Sequence, residues 1–112
     1  MTLILHDKIP SWNEFYSGRH WTKRYDIANN WKTNIFYECK EQGLQPVRTY
    51  PITLEITSNQ RCDLDNLCIK LVIDGLKLAG IIDDDDPKHI DMITIIHDKT
   101  QEYTTVELHE YA

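Results

Sequence analysis

Asp65-Asn66-Leu67-Cys68-Ile69-Lys70-Leu71-Val72-Ile73-Asp74-Gly75-Leu76-Lys77-Leu78-Ala79-Gly80 is the stretch whose reading decides the fold. At about 100° per residue the apolar side chains Leu67, Cys68, Ile69, Leu71, Val72, Ile73, Leu76, Leu78 and Ala79 cover most of a helical surface. One polar stripe remains, made of Asn66, Lys70, Asp74 and Lys77. Asp65 has the side chain of an N-cap, and Gly80, with no side chain, suits a C-cap, so a helix is expected from about Asp65 to Ala79. A helix apolar on most sides is buried, and its stripe then faces water, a charged partner or a site.

Working outward, residues 50–58 alternate: Ile52, Leu54 and Ile56 point one way and Thr53, Glu55 and Thr57 the other, as in a half-buried strand. Residues 59–64 form a polar loop. Residues 21–42 read as a helix, because Ile27, Trp31 and Ile35 recur every four residues with Ala28 and Cys39 alongside, and Gly43 follows as a C-cap. Residues 2–6 suit a short strand. Residues 8–20 read as a loop, given Pro10, Ser11, Asn13 and Gly18. Residues 92–97 and 102–109 read as strands, and the Asp98-Lys99-Thr100-Gln101 turn between them predicts a hairpin. The order β-α-β-α-β-β predicts one α+β domain over residues 1–112, a mixed sheet packed with two main helices.

The chain has 112 residues, enough for one modest core. No apolar run approaches the roughly 20 residues of a membrane span, and the N-terminus carries no basic leader, so a cytoplasmic, non-membrane protein is expected. Cys39, Cys62 and Cys68 lack the paired spacing of a disulfide framework or a structural zinc site, and reduced thiols are expected. Residues 1–48 hold seven Lys/Arg against five Asp/Glu, whereas residues 49–112 hold five against thirteen. The overall charge of −6 does not suggest nucleic acid. The clustered acids fit either a solvated acidic surface, which charge alone favours, or bound cations, which would offset much of the negative charge.

Asp63 and Asp65 lie two apart, so in extended chain both carboxylates point to one side. Two close carboxylates repel unless a cation lies between them, and hard divalent ions suit that geometry. Asp83-Asp84-Asp85-Asp86, closed by Pro87, form the second acidic cluster. It either makes a solvated turn or completes a metal site. The two clusters flank a helix about 22 Å long, so they meet only if the loop after the helix folds back. Lys70 could stabilise charge on a phosphate oxygen, pair with Asp74 at i,i+4, or do both. Residues 10–24 interleave aromatic and basic side chains. Arg19, Lys23 and Arg24 suit phosphates, while Trp12, Phe15 and Trp21 suit either base stacking or the core. His6, His89, His97 and His109 show no partner spacing.

Three segments in order resemble the RusA family of Holliday junction resolvases. They are Pro10-Ser11-Trp12-Asn13 with Arg19-His20-Trp21, then Asp63-Leu64-Asp65-Asn66-Leu67 with Lys70 and Asp74-Gly75-Leu76, then Gly80-Ile81-Ile82 with Asp84-Asp85-Asp86-Pro87-Lys88-His89-Ile90. The resemblance spans about residues 8–97. It implies a homodimeric endodeoxyribonuclease that resolves four-way junctions and related branched DNA by paired symmetric nicks, using Mg²⁺ or Mn²⁺. By position it implies Asp63, Asp65, Asp84 and Asp85 as metal ligands, with Asp63, Asp65, Asp85 and Lys70 as the catalytic set. Asn13 and Asn66, inside the matching motifs, join Arg19, Lys23 and Arg24 as expected DNA-contacting residues. Lys70 departs from the pattern: it follows Asp65 by five residues where the family has four. A non-enzymatic acidic DNA mimic, or a junction-binding protein that does not cut, is the alternative.

Overall fold

The alternation at Ile52, Leu54 and Ile56 produces the central strand of the sheet. In the computed structural model, β1 (Thr2–Leu5), β2 (Ile52–Ser58), β3 (Ile90–His97) and β4 (Thr104–Glu110) form one four-stranded sheet in the order β1-β4-β2-β3. The structure describes residues 1–16, 21–61, 63–64 and 67–110, with only the backbone at Glu14, Tyr16, Trp21 and Thr22. Three helices complete it: α1 (Trp12–Tyr16), α2 (Trp21–Glu41) and α3 (Ile69–Leu78). The expected α+β class, mixed sheet and order of main elements are all present.

The core lies between one sheet face and the two long helices. Leu3, Leu5, Ile52, Leu54, Ile56, Val106 and Leu108 from the strands meet Ile35 and Cys39 of α2 and Val72, Ile73 and Leu76 of α3, all buried. Burial of this apolar surface is the main favourable term in folding. Among the described residues no helix is long and apolar enough to cross a membrane.

Both long helices end in the predicted way. Gly80 has φ +73°, its N–H donates to Lys77 O at 3.0 Å, and the Ile81 N–H reaches Leu76 O at 3.0 Å. Gly43, at φ +71°, ends α2 with the same pair of bonds, from Gly43 to Lys40 and from Leu44 to Cys39. This is the Schellman arrangement, in which a left-handed residue lets two terminal carbonyls find donors.

Three local expectations are corrected. First, residues 92–97 and 102–109 do not form a hairpin. β3 pairs in parallel with β2, and β4 pairs antiparallel with β1 and with the other edge of β2. The turn at residues 98–101 is present, with Thr100 N–H and Oγ1 both donating to Asp98 Oδ1. The chain then passes over the end of β2, held by Asp98 N–H on Ser58 O and by the Asn59 amide on Gln101 O. β2 is the most buried strand, and placing it between the other two buries its apolar face fully. α3 is the crossover that parallel pairing requires.

Second, the helix expected from Asp65 begins at Ile69, after Cys68, which makes no side-chain cap. The backbone just before it is engaged elsewhere: Leu67 bridges Ser11, and the Cys68 N–H donates to Pro10 O at 2.8 Å. Third, the expected loop at residues 8–20 contains α1, opened by a bond from the Phe15 N–H to Ser11 O. The loop is anchored just before α1, where the Gln60 amide accepts from Ile9 N–H at 2.9 Å and donates to Ile9 O at 2.8 Å.

Candidate functional site: a lysine-lined cleft beside the acidic turn

The polar stripe of α3 points where its apolar neighbours cannot. Leu71, Val72, Ile73, Gly75 and Leu76 are buried, while Lys70 is exposed and Asp74 and Lys77 are half-buried. The segment after α3 brings Asp84 and Asp85 to Lys77, in the last turn of the helix, whereas among the described residues Asp63 is not grouped with the acids of this turn. Ile81 and Ile82 are buried, and the Ile81 carbonyl accepts from Val47 N–H at 2.8 Å, which pins the loop to the core. Tyr50 Oη then accepts from the Asp83 N–H.

The result is an open cleft of about 510 Å³ lined by Lys32, Lys70, Asp74, Lys77, Leu78 and Asp85. Lys77 Nζ lies 3.5 Å from Asp84 Oδ1 and 3.7 Å from Asp85 Oδ1. The Asp85 carboxylate and, after it, that of Asp84 hold Lys77 above the usual lysine range. Asp84 is held below the usual carboxylate range, chiefly by the Asp85 N–H that donates to its Oδ1 at 2.8 Å, with Lys77 adding to this. Lys70 and Asp74 share the cleft, but Lys77 is the lysine that reaches the acidic turn.

Asp86 has a different task. Its Oδ1 accepts from the Lys88 N–H and lies 2.6 Å from His89 Nδ1, and its carbonyl accepts from the N–H groups of His89 and Ile90. This residue builds the turn, as the structural alternative for the aspartate run anticipated. His89, which showed no partner spacing in the sequence, is thus partnered by Asp86 three residues earlier and also packs edge-on against Tyr50 at 4.7 Å.

Among the described residues, two groups of side chains have ligand atoms close enough to hold a metal ion: Asp84, Asp86 and His89, and on the open sheet face Glu55, Glu107 and His109. Only Asp84 of these belongs to the ligand set expected from sequence. Asp63 is exposed and joins neither group, and Asp65 and Asn66 lie outside the described residues. Sequence reasoning missed the second group because its members are brought together by the β2–β4 register, in which Glu55 stands opposite Glu107. His6 is likewise matched by a distant residue, Glu38, at 3.0 Å.

Of the expected DNA-contacting residues, Asn13 and Lys23 are exposed and Arg24 is half-buried, while Arg19 lies outside the described residues. The bridge between Ser11 and Leu67 sets the Pro10–Asn13 loop directly against the segment that opens α3. Two stretches singled out separately in the sequence are therefore neighbours. Trp12 and Phe15 are half-buried and meet edge-on at 6.3 Å. Lys32 of α2 was not anticipated. Its only sequence signal is its place one turn before Ile35, which faces α3.

Cys39 and Cys68 are buried free thiols. Burial pushes Cys39 up to about 11, with Glu38 adding to this, and also raises Cys68, which removes both from nucleophilic chemistry near neutral pH. A comparison with known protein families and with characterised proteins finds no match for this chain.

Proposed function

We propose that this chain is a metal-dependent endodeoxyribonuclease that acts on branched DNA, with the four-way junction as its substrate and a homodimer as its working form. The observation that carries the reading is the cleft itself. Lys32, Lys70 and Lys77 converge from two helices on a site edged by Asp74 and Asp85. Lysines beside clustered carboxylates combine phosphate binding with cation binding, the two demands of phosphodiester hydrolysis.

The donor chemistry fits a hard divalent ion, because the acids at the cleft offer oxygen ligands alone. Lys77 Nζ already takes the place of a positive charge between Asp84 and Asp85. Mg²⁺ or Mn²⁺ would be held by Asp84 and Asp85, with Asp63 and Asp65 as the further ligands suggested by the motif. Such an ion, when bound, supplies Lewis-acid polarisation of the scissile phosphate and a lowered pKa for water. Lys70 stabilises the charge that develops on the phosphate oxygens. Lys32 and Lys77 hold the flanking backbone. Asn13, Arg19, Lys23, Arg24 and Asn66 position the DNA arms, contacts that set orientation rather than sequence preference.

The test is cleavage of a synthetic four-way junction and a linear duplex with Mg²⁺ or Mn²⁺, comparing wild type with Asp65→Asn and Asp85→Asn. Paired nicks confined to the junction and lost in both variants support the reading. Junction binding without cleavage would reduce it to a binding protein. Neither binding nor cleavage would replace it with the acidic DNA mimic.

A further inference from the structure

We infer that the outer edge of β3 is a self-complementary joint at which two copies of this chain pair their sheets antiparallel about a two-fold axis. The two edges of the sheet are treated differently. At β1, which is four residues long, the Gln42 side-chain amide closes the edge: it accepts from Ile4 N–H at 2.8 Å and donates to Ile4 O at 2.7 Å. At β3, eight residues long, no strand among the described residues pairs with the outer side.

Proteins protect exposed edges with short strands, lysines, prolines or bulges, and a long apolar edge without them is a site for strand addition. Met92-Ile93-Thr94-Ile95-Ile96 contains neither charge nor proline. Its one register irregularity lies at the start, before Met92. Met92 is 53% exposed, Ile93 44% and Ile96 38%, so three of the exposed large hydrophobics fall within five residues.

The arrangement of these side chains selects a second copy as the occupant. From the β2–β3 register, Ile93 and Ile95 share the face of Leu54 and Ile56, toward the helices, while Met92, Thr94 and Ile96 share the open face with Thr53, Glu55 and Thr57. Antiparallel pairing of β3 with another β3, centred on Thr94, sets Ile93 opposite Ile95 of the second copy and Met92 opposite Ile96 of the second copy. Directly opposite residues lie on one face, so each apolar residue meets an apolar residue on its own side. The same register sets Asp91 opposite His97 of the second copy, and the two-fold axis repeats every pair. A two-fold contact uses one surface twice and closes, so the joint stops at a dimer.

This dimer supplies the assembly assumed in the proposed function but does not rest on catalysis, and its test does not use cleavage. Sedimentation velocity over a concentration series is expected to show a species of twice 13.2 kDa, lost in Met92→Lys and Ile96→Lys, while the thermal unfolding midpoint is unchanged at concentrations low enough for the wild type to be monomeric. Thr94→Cys, in a chain carrying Cys62→Ser, is expected to form an intermolecular disulfide under mild oxidation, since the two-fold axis sets position 94 opposite itself. A wild-type chain that stays monomeric at hundreds of micromolar, or a dimer that survives both lysine substitutions, overturns the inference. A monomer that still cuts junctions overturns the joint and leaves the nuclease reading standing.

Discussion

Gly75 of α3 lies so close to Ile35 of α2 that a methyl group added at Gly75 would stand 2.7 Å from Ile35 Cβ and 2.9 Å from its Cγ2. This approach fixes the rotation of α3 about its axis. With Gly75 turned into the helix pair, Lys70, Asp74 and Lys77 are turned into the cleft. Gly75→Ala gains about 1 kcal/mol of helix propensity. It also forces an overpacked contact that typically costs about 1–3 kcal/mol. Urea unfolding is expected to show net destabilisation, largely relieved when Ile35→Val is added. A stabilised Gly75→Ala protein would mean that the helices separate freely.

Lys32 reaches the cleft from α2, and its place one turn before Ile35 was its only sequence signal. If it contacts DNA backbone, Lys32→Ala weakens junction binding and lowers the slope of log affinity against log salt by about 1. Lys99, exposed in the turn before β4, serves as a control whose removal leaves the slope unchanged. Equal effects at the two positions would reduce Lys32 to part of the general surface charge.

Asp85 and Asp86 are adjacent but have different work, one lining the cleft and the other building the turn. Asp85→Asn is expected to reduce cleavage on the order of 100-fold or more, in line with loss of a group that acts on transition-state charge. Its unfolding midpoint should not fall. Asp86→Asn removes charge-assisted acceptors for Lys88 and His89 and is expected to cost about 1–2 kcal/mol of stability. The reverse pattern would exchange the two roles.

Asp98 is held below the usual carboxylate range, first by the Thr100 hydroxyl at 2.6 Å and then by the Thr100 N–H at 2.9 Å. Asp84 is lowered in the same direction by the Asp85 N–H and Lys77. A group whose folded pKa is depressed contributes stability above its unfolded pKa, about 3.9 for aspartate, and loses it as pH falls through the folded value. The melting temperature should therefore decline below about pH 4, and the decline should be shallower in Asp98→Asn. Identical slopes would mean that the unfolded chain keeps the same turn.

Much of this arrangement was legible in the chain because it depends on near neighbours. The α3 stripe, the glycine C-caps at Gly43 and Gly80, and the alternation of β2 are local patterns, and the folded protein keeps them. The Asp86–His89 pair was also local, three residues apart, and was legible in principle. The Glu55–Glu107–His109 group was not, since nothing in either strand alone announces the register that assembles it.

What the sequence by itself determined is the set of main elements: which of the longer segments become helix or strand, and which face of each is apolar. Periodicity, caps and turn residues act over a few residues and fix these locally. What only the tertiary structure decided is how the elements share their burial. β2 lies between β3 and β4 rather than beside a hairpin, α3 starts at Ile69 because Pro10 and Ser11 engage the backbone before it, and Lys32 joins the cleft because Ile35 meets Gly75. The physical reason is that strand order, helix start and helix rotation depend on the core and backbone hydrogen bonds of the whole domain. No single segment contains the partners that settle that competition.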